Sequence, residues 1–227
     1  MNTKNKIYHY CVSDDIPRKE FDDFVNCYIE IFNNSWKEKW TKKEAENIIK
    51  SGLNSKNGRK SSVSLLFDSE KVVGFSWIGL GTEDTICIDD MPYDISEIEK
   101  ENGIKAIKFW MKLVGHKKII IFKELGIYGN YTTLNGDHMA TKISLPIIER
   151  AYEDGYRAIF CWTSSINIIF NLGLGFFWHP IQYYPDQDRV IMVGGVKKFI
   201  YYLRGTLNRD MNIINEMQEN KKKYLII

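Results

Sequence analysis

The sequence predicts an α/β fold built around a parallel strand pair. Three observations carry that prediction. Ile119, Ile120, Ile121 and Phe122 form a continuous apolar run, continued by Leu125 and Ile127, as expected of a strand covered on both faces. Met139, Ile143, Ile147 and Ala151 then recur every four residues, with Ala140, Ser144, Ile148 and Tyr152 beside them, which is the stripe of a helix lying on a sheet. Gly155 closes that helix, and residues 158–162 form a second short apolar strand. Strand, helix and strand in this order make a βαβ unit, whose crossover is right-handed.

The other elements follow from local pattern. Residues 7–12 suit a short strand, and Ile16-Pro17 opens a region in which Phe21, Phe24, Val25, Tyr28, Ile29 and Phe32 keep helical spacing. Asn33-Asn34-Ser35 breaks this first helix. Thr41 and Glu44 have the spacing of a capping box for a second helix through Ile48 and Ile49, ending near Gly52. Residues 54–61 are a polar loop, and residues 63–67 and 72–80 flank a short polar turn, predicting a β-hairpin. Residues 81–118 are too long for a bare loop and carry helical spacing at Ile104, Ile107, Phe109, Met111 and Leu113. They predict an insertion packed on the rim of the domain. Its acidic first half, from Asp84 to Glu101, reads either as a solvated face or as an attractor of a cationic substrate. After the βαβ unit come a short helix over residues 164–174, a strand pair over 177–184 and 189–196 joined by Pro185-Asp186-Gln187-Asp188, and a tail helix near 208–219. Residues 1–203 are thus expected to form one domain, with the insertion at 81–118, and residues 204–227 a helical tail.

Composition excludes some partners. With 31 basic and 29 acidic residues, net charge +2, there is no broad electrostatic footprint for nucleic acid. No apolar window approaches a membrane span or a signal peptide. Cys11, Cys27, Cys87 and Cys161 are scattered, without metal-ligand or C-x-x-C spacing. The expectation is a reduced, cytoplasmic protein with no metal and no membrane or nucleic-acid partner.

The order of elements over residues 21–196 resembles the GNAT superfamily of N-acetyltransferases. The local signals are Glu124-Leu125-Gly126-Ile127, the loop to Ala140, Ile147-Ile148-Glu149-Arg150-Ala151 and Leu174-Gly175-Phe176. The resemblance implies a mixed central sheet whose fourth and fifth strands, here the two of the βαβ unit, splay apart to admit the pantetheine arm of acetyl-CoA. Leu125 and Ile127 would then pair with that arm, joined by Asn167 and Phe170 from the short helix. Asn135, Gly136, Asp137, His138, Met139, Ala140, Thr141 and Lys142 would hold the diphosphate, with Asp137 as N-cap, because N–H groups at a helix start favour anions. The family's loop has Gln or Arg, then Gly, then Gly or Ala where this chain has Asn135, His138 and Ala140, so the loop is degenerate. Pro146 introduces a kink.

The same resemblance implies acetyl transfer to a primary amine of a small molecule or peptide. Glu124 is the candidate base, its alternative being a strand-edge carboxylate. The backbone N–H of Ile127 or Tyr128 would receive the developing oxyanion. Asn171 occupies the position of the family's acid tyrosine, and an amide gives up no proton at neutral pH. Tyr128, Tyr131 and Tyr183 are substitutes between which the sequence does not choose. Trp36, Trp40, Trp77 and Trp162 read as an acceptor pocket or as core. The alternative function is an inactive acyl-CoA-binding or interaction domain that keeps the fold.

Overall fold

A computed structural model describes residues 6–10, 15–35, 38–54, 59–131, 133–134, 137–164 and 178–224. In chain order the elements are β1 (Lys6–Tyr10), α1 (Arg18–Ser35), α2 (Lys42–Leu53), β2 (Lys60–Asp68), β3 (Lys71–Thr82), α3 (Glu97–Leu113), β4 (Lys118–Ile127), β5 (Thr133–Leu134) and β6 (Asp137–His138). They continue with α4 (Met139–Glu153), β7 (Ala158–Ser164), β8 (His179–Tyr184), β9 (Arg189–Gly195), α5 (Val196–Leu207) and α6 (Met211–Tyr224). Seven strands follow the order β1-β2-β3-β4-β7-β9-β8, while β5 and β6 form a separate hairpin. This is the mixed α/β class that the sequence predicts. The chain divides into two compact units, Met1–Gly79 with Glu124–Ile147 and Leu80–Lys123 with Ile148–Ile227. β3 and β4 contribute residues to both.

In the first unit α1 and α2 cover one face of the sheet. Phe24, Val25 and Tyr28 of α1 meet Ala45, Ile49 and Leu53 of α2, and Val63, Leu65 and Phe75 of the strands. Alternation along β2 turns Leu66 to the opposite face, where it packs with Val73 of β3 and with Met139 and Ile143 of α4. The Thr41 hydroxyl accepts from Glu44 N at 3.3 Å while the Glu44 carboxylate accepts from Thr41 N at 2.9 Å, the reciprocal cap expected from the sequence. Burying one large apolar side chain contributes roughly 1.5–3 kcal/mol, so the aromatic cluster of Phe24, Tyr28 and Phe75 outweighs any one cap.

In the second unit α3 covers the sheet face formed by β4, β7 and β9. Ile107 and Met111 pack on Ile119, Ile121, Phe160, Ile191 and Val193. Contact is close because residue 103 has no side chain: a Cβ there would stand 2.7 Å from both Tyr184 Oη and Ile191 Cδ1. Tyr184 Oη in turn donates to Glu99 O at 2.8 Å. The helix extends beyond residues 104–113, over Glu97–Leu113. Phe109 and Leu113, read as part of its apolar pattern, instead face solvent. Only one side of α3 meets the sheet, and that side is already filled by Gly103, Ile107 and Met111.

Two further departures have local causes. α5 was not expected. Its buried face of Val196, Phe199, Ile200, Tyr202 and Leu203 follows β9 directly, and its cap, Gly195, makes no side-chain hydrogen bond, so no Ser, Thr or Asp announces the helix. α4 starts at Met139, later than an Asp137 cap would set it. Asp137 and His138 are extended and pair with Leu134 and Thr133. Pro146 does lie inside α4. Among the described residues no helix is long and apolar enough to cross a membrane, and no cluster of His, Cys, Asp or Glu suits a metal ion.

Candidate functional site

The parallel ladder between β4 and β7 has three rungs: Ile119 opposite Ala158, Ile120 opposite Ile159 and Ile121 opposite Phe160. Both strands run on. β7 continues to Ser164, pairing with β9 along its whole length from Ala158 opposite Gly195 to Ser164 opposite Arg189. β4 continues through Phe122 and Lys123 to Ile127. The last rung of the parallel register is Ile121 opposite Phe160. A buried strand edge released from its partner retains N–H and C=O groups that need hydrogen bonds.

Alternation along β4 decides which peptide groups those are. Tyr128 N donates to Val73 O at 3.0 Å, and Gly126 O lies beside Gly74 of β3. Gly126 and Tyr128 therefore direct their backbone groups to β3, and Leu125 and Ile127 direct theirs away from it. The Tyr128 N–H is already used, which removes it from the oxyanion role and leaves Ile127. Side chains alternate too. Leu125 and Ile127 pack on the α4 side of the sheet. At Gly126 a Cβ would meet the Phe75 ring at 2.7 Å and Ile31 of α1 at 3.2 Å. Glu124, between Phe122 and Gly126, is half-buried.

Beyond β4 the chain is tied down by phenols. Tyr128 Oη donates to Glu30 at 2.7 Å and Tyr131 Oη donates to Asp68 at 2.6 Å, while Lys71 Nζ sits 5.2 Å from the Tyr128 ring. Burial first, then the charge at Cys27 and the bond to Glu30, hold the Tyr128 phenol well above the ordinary tyrosine range. The bond to Asp68 raises Tyr131. Both phenols, bonded to carboxylates, anchor the chain that leaves β4. Tyr183 is on β8 and donates to Asp188 at 3.3 Å.

In the first turn of α4, Met139 and Thr141 are buried, Ala140 is half-buried and Lys142 is exposed. Met139 and Ile143 anchor this end on Leu66 and Val73, and the opening N–H groups of a helix have no partner within it. His138 is exposed on β6. Asn135 and Gly136 lie outside the described residues, between the paired strands β5 and β6, and Asn-Gly in such a place is the sequence signal of a two-residue hairpin. Trp36, Asn167, Phe170 and Asn171 also lie outside the described residues. Trp40 and Trp77 belong to the α1–α2 core.

The second unit brings together charges that the sequence reading left scattered. Lys123, just past the last rung, lies 3.4 Å from the fully buried Asp90 carboxylate. Asp90 also accepts from Cys87 N at 3.0 Å. Arg189 binds Asp94 through both Nε and Nη2, the latter at 2.8 Å, and its guanidinium lies 5.5 Å over the Trp162 ring. Asp90 is thus buried against a cation, while Asp94 meets its cation at an exposed position.

No protein-family model matches the chain, and no curated protein matches it significantly in sequence. Solved structures do. An acetyltransferase from Streptococcus agalactiae superposes with a TM-score of 0.53 at 15% identity, over 86% of this chain and 99% of that one. FeeM, an N-acyl amino acid synthase from uncultured soil microbes, gives 0.53 at 11% identity, over 86% and 94%. Arylalkylamine N-acetyltransferase 2 from Aedes aegypti gives 0.52 at 12% identity, over 84% and 99%. The chain has the GNAT fold. In GNAT terms β4 and β7 are the fourth and fifth strands, and β5 and β6 pair within the connection to α4.

Proposed function

We propose that this protein is an acyltransferase that moves an acetyl group from acetyl-CoA to a primary amine of a small molecule or peptide. The observation that carries this reading is the early end of the β4–β7 ladder. A strand edge with Leu125 and Ile127 offering backbone groups suits a ligand rich in amides, and pantetheine has two. The first turn of α4 supports a diphosphate through its N–H groups and the positive end of the helix dipole. Lys142, exposed in that turn, would add cationic character. Nothing in the first turn blocks an anion, since Met139 and Thr141 are turned inward.

The chemistry follows from what stands along β4. A donor lying along the edge with its diphosphate at α4 carries its thioester toward the start of the released segment, where Glu124 stands. An amine arriving there meets the carboxylate, which takes its proton as the nitrogen attacks the thioester carbon. Ile127 N–H stabilises the negative charge that develops on the carbonyl oxygen. The C–S bond then breaks. The thiolate has a conjugate acid near ~8.5 by analogy with cysteine, so it departs without a dedicated acid and takes its proton from solvent. A reducing, cytoplasmic setting suits the buried thiols of Cys27 and Cys161.

Thiol release from acetyl-CoA across an amine panel, paired with calorimetry of CoA binding, tests the proposal. Wild type releases thiol with at least one amine. Glu124→Gln lowers that rate by about 10²–10⁴-fold, the range for a lost general base, while CoA still binds. A wild-type rate that Glu124→Gln leaves unchanged rejects the base assignment, CoA binding without turnover favours the inactive binding domain, and no CoA binding rejects both.

A further inference from the structure

α3 is used on one side only. Opposite its buried Gly103, Ile107 and Met111, it presents Ile98 at 73% exposure, Phe109 at 69% and Leu113 at 73%. These three share one stripe at helical spacing. A line of charges runs along one flank of that stripe: Glu97, Glu101, Lys108 and Lys112. The helix is polarised. Glu97, Glu99 and Glu101 lie in its first turns, whereas residues 102–118 contain five lysines and no Asp or Glu.

We infer that this face binds the same face of a second copy, with the two α3 helices antiparallel about a twofold axis. Three independent features choose one register. Glu97 and Lys112 are centred on the point between Ile104 and Lys105, and so are Glu101 and Lys108. Pairing about that point sets Glu97 against Lys112 of the other copy and Glu101 against its Lys108, each twice, because a twofold interface repeats every contact. The same centre places Ile98 of one copy between Phe109 and Leu113 of the other, an apolar knob between two residues one turn apart. A twofold axis perpendicular to both helices also brings the charged flank of each beside the charged flank of its mate. Lys112 now holds Glu83 at 3.1 Å, but its side chain is 69% exposed, so it can exchange partners.

The polarity of α3 also chooses between occupants. An anionic membrane or a nucleic acid would suit the lysines but be repelled by the glutamates of the same stripe. A second α3 running the opposite way answers both ends.

Light scattering after size exclusion, together with sedimentation velocity from micromolar to sub-millimolar protein, tests this without reference to any enzymatic activity. The wild type associates to a dimer. Phe109→Asp, a change at an exposed position whose folding is checked by circular dichroism, is monomeric. Glu101→Lys alone weakens the dimer by about tenfold, since one substitution creates two repulsions. Glu101→Lys combined with Lys108→Glu restores it. A wild type that stays monomeric throughout, a dimer that survives Phe109→Asp, a double variant that fails to recover, or a monomer that sediments with phosphatidylserine vesicles each overturns the inference.

Discussion

At the scale of single residues, Gly126 shows how packing and function meet on β4. Its position carries no side chain because Phe75 and Ile31 occupy the space a Cβ would take, at 2.7 and 3.2 Å. The Phe75 ring is itself held by Phe24, Tyr28 and Phe32, so it has little freedom to retreat. Gly126→Ala is predicted to destabilise the fold by about 1–3 kcal/mol, the usual range for overpacking, read as a lower denaturant midpoint; an unchanged midpoint would mean that α1 yields easily. One residue role was legible beforehand: Thr41 and Glu44 announced their capping box. The bond from Tyr128 N–H to Val73 was not legible, because the phase of backbone alternation along a strand is set by the partner strand and not by sequence. Asp90 and Lys123 were equally hidden, since a buried ion pair between residues 33 apart in sequence leaves no local pattern.

At the scale of elements, type was easier to read than extent. α1, α2, the β2–β3 hairpin, α4 and the β8–β9 pair all follow apolar periodicity bounded by turn residues. α5 escaped because Gly194 and Gly195 offer no capping side chain between a buried strand and a buried helix. α3 misled differently: Phe109 and Leu113 are apolar yet exposed, so periodicity alone assigned them to the wrong side. The hairpin of β5 and β6 is only two residues on each side, below the length at which alternation registers, although Asn135-Gly136 marks it. The capping box gives an element-level prediction. Thr41→Ala removes the oxygen that accepts from Glu44 N and is expected to lower stability by about 0.5–2 kcal/mol. Thr41→Ser, which keeps the oxygen, recovers most of it. Equal losses in both variants, measured by denaturant unfolding, would show that the cap is idle.

At the scale of the whole molecule, the buried phenols set a pH limit. Burial pushes Tyr184 and Tyr202 up to about 12, and burial followed by a carboxylate partner raises Tyr10 as well. In the unfolded chain each ionises near ~10. The folded state therefore holds more protons in the window between, so stability is fully present below pH ~10 and falls as pH rises through it. Tyrosinate absorbance should show a group of phenols titrating later in folded than in denatured protein, with the denaturant midpoint falling over the same window. A midpoint that is flat or rises there contradicts the sign. The central claim concerns the edge of β4, and backbone amide exchange with and without CoA tests it most directly. The account predicts that the Leu125 and Ile127 amides exchange readily in the free protein and become protected when CoA binds, while the Tyr128 amide, bonded to Val73, is protected in both. Leu125 and Ile127 amides that are already protected without ligand, or that exchange equally fast with CoA bound, would contradict it.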